Sequence, residues 1–213
     1  VNTPETNQAQ LTEMMVGRPI SLKIDRPQVE EKEERLQVIG LTCLNGDGVK
    51  ALDNVSFTAY GGEILGVAGI AGSGQKELCE AIAGLYPSIG GSVLYSAEHE
   101  GTVIKERILG LKPDEISKKG IAMAYVPEDR LGMGLVAGMD MTDNVMLRSY
   151  KDSKGIFVDR KTPKALSEKL IEELEIVTPG VTTPVGRLSG GNVQKVLLGR
   201  EIACSPSVLI VAY

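Results

Sequence analysis

The segment that most constrains the fold of this chain runs from Glu63 to Leu85. Glu63–Ala68 is a short apolar run of the buried-strand kind, a glycine-rich loop follows at Gly69, Gly72 and Gly74, and a helical pattern spans Glu77–Leu85. Strand, glycine loop and helix in that order form the setting in which backbone amides at a helix N-terminus can cradle an anion. The rest of the chain is consistent with one α/β domain. Leu36–Cys43 and Ala51–Ala59 read as strands joined by a hairpin-type turn at Asn45–Gly48. Gly91–Tyr95 and Gly101–Val103 read as short antiparallel strands, and Pro113–Lys118 as a brief helix with proline in its first turn. Ile121–Val126 and Ser207–Tyr213 read as further buried strands, and Thr142–Ser149 and Lys164–Ile176 as amphipathic helices. The expected architecture over residues 36–213 is a mostly parallel sheet with a small antiparallel β subdomain and a helical insertion.

Residues 1–35 do not read as part of that core. Val1–Gln10 is polar, Leu11–Val16 is one or two amphipathic turns ending at Gly17, and Pro19 and Pro27 bracket an extended piece. Glu30–Arg35 is a solvated charge run of the linker kind.

A second glycine motif comprises Leu188, Ser189, Gly190, Gly191 and Gln194. It follows a turn-rich run with Thr182, Thr183, Pro184 and Gly186, and precedes an apolar helical pattern through Val196, Leu197, Leu198 and Ile202. Serine at a helix start caps it, the glycines admit a ligand close to the backbone, and unpaired amides face an anion. This LSGGxxQ pattern resembles the signature motif of ABC-type ATPases, which clamps the γ-phosphate of an ATP held by a partner domain. The resemblance covers Leu36–Tyr213 and implies a P-loop NTPase fold of the ABC type. Leu11–Arg18 more weakly resembles the segment that closes the first ATPase domain in tandem importers of ribose, galactose and nucleosides. By that resemblance the chain is the second, C-terminal nucleotide-binding domain of such a polypeptide, with residues 1–35 the tail of the preceding domain plus linker. It further implies that residues 36–213 lack the last strands and helices of the domain, which leaves a sheet face or edge unfilled and prone to self-association.

Held against GxxxxGK[ST], the loop Gly69–Glu77 keeps its glycines but has Gln75 at the lysine position and Lys76 at the Mg²⁺-binding Ser/Thr position. Sliding the match by one residue saves the lysine, but it displaces both glycines and turns Glu77 toward the metal. An ammonium on phosphate is worth about 1.5–3 kcal/mol, so its loss weakens nucleotide binding roughly tenfold to a hundredfold. The backbone donors of Gly69, Gly72, Ser73 and Gly74 survive, which leaves weak phosphate binding possible. Two further departures concern catalysis. Aligning Leu209–Tyr213 with the strand that carries the family's aspartate and catalytic glutamate puts Ala212 and Tyr213 at those positions. Alanine anchors no metal-bound water, and a phenol of ordinary pKa near 10 is a poor general base. After Val126 the family's glutamine is replaced by Pro127, Glu128, Asp129 and Arg130, a segment that resembles the second ATPase half of sugar and nucleoside importers. Leu44–Lys50 offers no aromatic to stack on adenine.

The resemblance therefore implies one working site and one crippled site in a head-to-tail pair. Ser189, Gly190 and Gly191 close over ATP and Mg²⁺ bound to the first ATPase domain of the same polypeptide. Glu128, Asp129 and Arg130, with the helix from Thr142, face the membrane permease, and a separate binding protein delivers the sugar or nucleoside. The implied location is the cytoplasmic face of the membrane, and the isolated chain is expected to be inactive in hydrolysis. Two other readings compete: a soluble ABC ATPase acting on ribosomes or DNA, and a module that senses nucleotide without hydrolysing it. The net charge of −5 argues against a nucleic-acid surface, and no apolar run approaches a membrane span. Cys43, Cys79, Cys204 and the single His99 are too scattered for a metal cluster or disulfide framework, and the cysteines are expected to be small buried residues in a reducing compartment.

Overall fold

The computed structural model describes residues 6–17, 33–99, 102–152 and 158–213. The chain divides into two units, Val1–Lys32 and Glu33–Tyr213. In the first, α1 (Gln8–Val16) starts with a capping box between Asn7 and Gln10 and stops at Gly17 in the left-handed conformation. The extended piece between Pro19 and Pro27, the beginning of the charge run and Gly101 lie outside the described residues.

The second unit opens with an antiparallel sheet of order β2-β1-β3-β4, formed by β1 (Glu34–Leu44), β2 (Lys50–Tyr60), β3 (Gly90–His99) and β4 (Thr102–Arg107). The inward set on β1 is Leu36 and Val38, then Leu41 and Cys43, so the alternation slips by one residue. Gly40, at φ +60°, takes up the slip in a bulge, and its N–H donates to Ser56 Oγ at 2.8 Å. Helices α2 (Gln75–Ile82) and α3 (Pro113–Lys118) supply Leu78, Ile82 and Ile116 to the core on this sheet's buried side. The α/β layering and the presence of an antiparallel subdomain are as the sequence predicts, but among the described residues that subdomain, with four strands, is the larger sheet rather than the smaller.

Parallel pairing among the described residues is confined to β5 (Met123–Val126) and β6 (Val208–Val211), with Met123 opposite Val208 and Val126 opposite Val211. The connection between them carries α4 (Met141–Met146), α5 (Lys161–Glu173) and α6 (Gly190–Ala203). These helices enclose a second core of Met141, Val145, Leu170, Val193, Val196 and Leu197, to which Val126 also belongs. Tyr95 Oη donates to Ser207 Oγ at 3.0 Å and ties β3 to the start of β6.

Three expectations are corrected. Glu63–Ala68 forms no strand and is exposed, with Ile64 82% and Val67 53% accessible. A strand needs ladder partners to satisfy its N–H and C=O groups, and no described strand pairs with this run. Ser207–Tyr213 is only half buried: Val208 and Ile210 pack inward while Leu209, Val211 and Tyr213 are exposed. Of the cysteines only Cys43 is buried, and Cys204, past the end of α6, is exposed.

Candidate functional site

The loop Gly69–Gly74 is positioned by its glycines. Gly74 precedes α2 at φ +92°, and a Cβ there would lie 2.3 Å from the Ala51 carbonyl oxygen, so only glycine lets the loop seat on β2. Gly72 also has positive φ, at +83°. The inside of the loop is taken up by its own side chains. Ser73 Oγ donates to the Ile70 carbonyl at 2.7 Å. In the orientation that satisfies both ends of its carboxamide, Gln75 Oε1 accepts from Gly69 N–H at 2.8 Å, and Nε2 donates to the Ile70 carbonyl at 3.3 Å. Lys76 turns down the helix toward Glu80, one turn on, with Nζ 4.0 Å from Oε1. Glu80 itself is buried and its Oε1 has no hydrogen-bond partner. Glu77 lies in the first turn of α2, where a carboxylate suits the helix dipole and repels a phosphate.

Behind this helix, burial pushes the Cys79 thiol up, and the Glu80 charge adds to it. Tyr125 on β5 is pushed up to about 12, first by burial and then by the charges of Glu80, Cys79 and Glu128. Among the described residues no group of three or more His, Cys, Asp or Glu side chains is placed to hold a metal ion. For Mg²⁺–ATP the residues at this loop do not fit: Gln75 is bonded within the loop, and the exposed Lys76 is turned down the helix toward Glu80. Ala212 sits at the end of β6 with its N–H on the Val126 carbonyl at 2.9 Å, and Tyr213 is 88% exposed.

The second glycine motif begins α6. Ser189 stands at the N-cap position, but its side chain caps no backbone amide. This corrects the expectation from sequence: Ser189 Oγ is drawn instead to Asn192 Nδ2, at 3.0 Å. Asn192 Oδ1 accepts from Val177 N–H at 3.0 Å, and Lys195 Nζ donates to the Glu175 carbonyl at 2.9 Å. The first turn is thereby tethered to the segment after α5. Ser189, Gly190 and Gly191 are exposed, Gln194 is half-buried, and Leu188 packs against the second core.

The segment after β5 comes to the same place. Asp129 Oδ1 accepts from Gly132 N–H at 2.8 Å and opens a π-helical turn, Arg130–Gly134. Arg130 Nη1 reaches the Gly190 carbonyl at 3.4 Å, and its guanidinium lies 5.7 Å from the Tyr213 ring centroid. Glu128 is exposed. The structure thus brings Arg130, Gly190 and Tyr213 together. Among the described hydrogen bonds, ion pairs and ring contacts, none joins this group to Gly69–Lys76.

The profile of the ABC transporter family matches residues 52–211. The chain belongs to the ABC transporter family. It is 34% identical over 212 residues to the guanosine import ATP-binding protein NupO of Bacillus subtilis (strain 168), covering 98% of this chain and 39% of that protein. To the xylose import ATP-binding protein XylG of Moorella thermoacetica it is 36% identical over 214 residues, or 99% of this chain and 40% of that one. The chain therefore spans about two-fifths of the length of these relatives. The ATP-binding cassette MJ0796, in a dimeric post-hydrolysis state bound to ADP and Pi, superposes with a TM-score of 0.64 at 19% identity, over 83% of this chain and 72% of that one. That likeness shows the P-loop ABC fold. No helix among the described residues is long and apolar enough to cross a membrane.

Within this ABC domain the sequence reading missed the residues that hold the signature and the Arg130 turn in place. Asn144 is fully buried, accepting from Val136 N–H at 2.8 Å and donating to the carbonyls of Val136, Met139 and Asp140. Arg200, on the buried side of α6, donates to the Gly134 carbonyl at 2.8 Å and pairs with buried Glu201, which also takes Arg148 at 3.1 Å. The signal was available: Arg200 and Glu201 are adjacent opposite charges inside an otherwise apolar helical run.

Proposed function

We propose that this chain is an ATP-binding domain of an importer for a sugar or a nucleoside, and that it acts through its signature motif on ATP held by a partner domain. The observation that carries this reading is the contrast between its two glycine motifs. Ser189, Gly190 and Gly191 are exposed at the start of a helix whose buried side is anchored by Val193, Val196, Leu197 and Arg200. The loop at Gly69 has Gln75 and Lys76 turned to intramolecular partners, and the acidic positions are Ala212 and Tyr213. Phosphoryl transfer rests on positioning and electrostatics, so a loop lacking lysine, metal ligand and base contributes little to turnover in cis. Exposed amides at the start of α6 are free to approach the phosphates of a nucleotide presented by another domain.

The sugar- and nucleoside-import names of the relatives support the substrate class. The family resemblance supplies the partners: a first ATPase domain in the same polypeptide, permease subunits that receive Glu128–Arg130 and α4, and a separate substrate-binding protein. The reading places the domain at the cytoplasmic face of the membrane, with ATP and Mg²⁺ in the partner's site.

Ser189→Arg in the complete transporter tests this reading. ATP hydrolysis is expected to fall at least ~100-fold, as for loss of a preorganised anion contact, with ATP still bound by the assembly. Hydrolysis within threefold of the unsubstituted protein is the contrary result.

A further inference from the structure

The phosphate loop does more than lack a lysine. A lysine ammonium has three donors and no acceptor, so it leaves the loop's N–H groups to a phosphate. A glutamine carboxamide has both. It can close on a loop whose own backbone offers one N–H and one C=O, and Gln75 does so, at Gly69 N–H (2.8 Å) and the Ile70 carbonyl (3.3 Å). Ser73 Oγ lies 3.4 Å from the same carboxamide and also bonds the Ile70 carbonyl. The space on the inner side of Gly69 is used up: a Cβ there would lie 2.4 Å from Ser73 Oγ and 3.0 Å from the end of the Gln75 carboxamide that faces the Gly69 N–H. Lys76, the remaining cation, is directed to Glu80.

We propose that the Gln75 carboxamide is the resident occupant of this loop, holding a backbone donor that a phosphate oxygen would otherwise take. This side chain, rather than the missing ammonium alone, then decides whether the loop accepts a polyphosphate. The inference rests on Gly69–Lys76 being a loop of the phosphate-binding kind.

Two causes of weak binding, an absent ammonium and a present plug, separate in two variants. Gln75→Ala removes the carboxamide and adds no charge, whereas Gln75→Lys removes it and adds an ammonium. Calorimetric titration of ATP, and separately of tripolyphosphate, into the full chain is expected to show Gln75→Ala binding at least tenfold tighter than the unsubstituted protein, and Gln75→Lys tighter still. Binding by Gln75→Lys with Gln75→Ala no better than the unsubstituted chain overturns the proposal in favour of the ammonium alone. Failure of both variants overturns it together with the phosphate-loop reading, and leaves the signature's action in trans to the Ser189→Arg result.

Amide hydrogen exchange gives an independent readout. The Gly69 amide is expected to exchange at least tenfold faster in Gln75→Ala, with Val38 and Val93 of β1 and β3 unchanged as controls for the fold. An unchanged Gly69 rate overturns the proposal. If Gln75→Ala does not fold, Gln75→Asn, whose carboxamide is one methylene too short to span Gly69 and Ile70, carries the same expectations.

Discussion

At the scale of single residues, the chemistry around α2 is governed by what a buried group can find to bond. Glu80 is buried with one carboxylate oxygen unpaired, and it faces Lys76 at 4.0 Å across one helical turn. Burial first, and then the Glu80 charge, push the Tyr125 phenol up to about 12. The free phenol titrates near 10, so the folded pKa lies above the unfolded one. The stability this confers is complete below pH 10 and is lost as the pH rises toward 12. Urea midpoints of the native chain are therefore expected to fall over that window, and Tyr125→Phe is expected to flatten the fall. An equally steep fall in the variant would assign it to other groups.

At the scale of elements, α6 joins the signature to the turn at Arg130–Gly134. The helix presents Val193, Val196 and Leu197 to its core, and the same buried side carries the ion pair of Arg200 and Glu201. Two arginines converge on one buried carboxylate: Arg200 on Oε1 at 2.8 Å and Arg148 on Oε2 at 3.1 Å. Arg200 also carries the Gly134 carbonyl, so the carboxylate indirectly fixes the turn that holds Arg130 against Gly190. Glu201→Gln keeps the shape of the side chain but leaves two cations without a counter-charge. Breaking a buried pair in this way costs about 3–5 kcal/mol, and urea unfolding of the full chain measures it. A loss below about 1 kcal/mol would mean that water reaches the pair.

At the scale of the whole molecule, two stretches expose several apolar side chains close together in sequence. Ile64, Leu65 and Val67 are exposed along the unpaired run before the glycine loop and Ile70 within the loop, and Leu209, Val211 and Tyr213 along and beyond β6. Exposed apolar runs and open strand edges invite association. Light scattering at micromolar concentration is expected to show the chain as a dimer or larger, and Ile64→Asp with Ile70→Asp to shift it toward the monomer. A monodisperse monomer of the unsubstituted chain would show that these side chains are tolerated in water.

How much of this was legible beforehand follows from the range of each interaction. The hairpin β1–β2, the helix at Pro113 and the glycine motif at Leu188–Gln194 are set by turn chemistry, caps and period within a dozen residues, and each lies where its local pattern puts it. The buried strand expected at Glu63–Ala68 was misread because hydrophobicity states a preference for burial without supplying the neighbour that provides it. Ser189 was misread as a capping side chain because Asn192, tied to Val177, offers its hydroxyl another partner.

By itself the sequence determined the α/β layering, the two glycine motifs and the placing of Gln75 and Lys76 directly after the first of them, since these depend on identity and spacing alone. Only the tertiary structure decided that Gln75 closes on the Gly69 loop, that Lys76 turns to Glu80, and that Arg200 binds the Arg130 turn to α6. Each of those depends on the direction of a side chain among partners that only the folded backbone brings within reach.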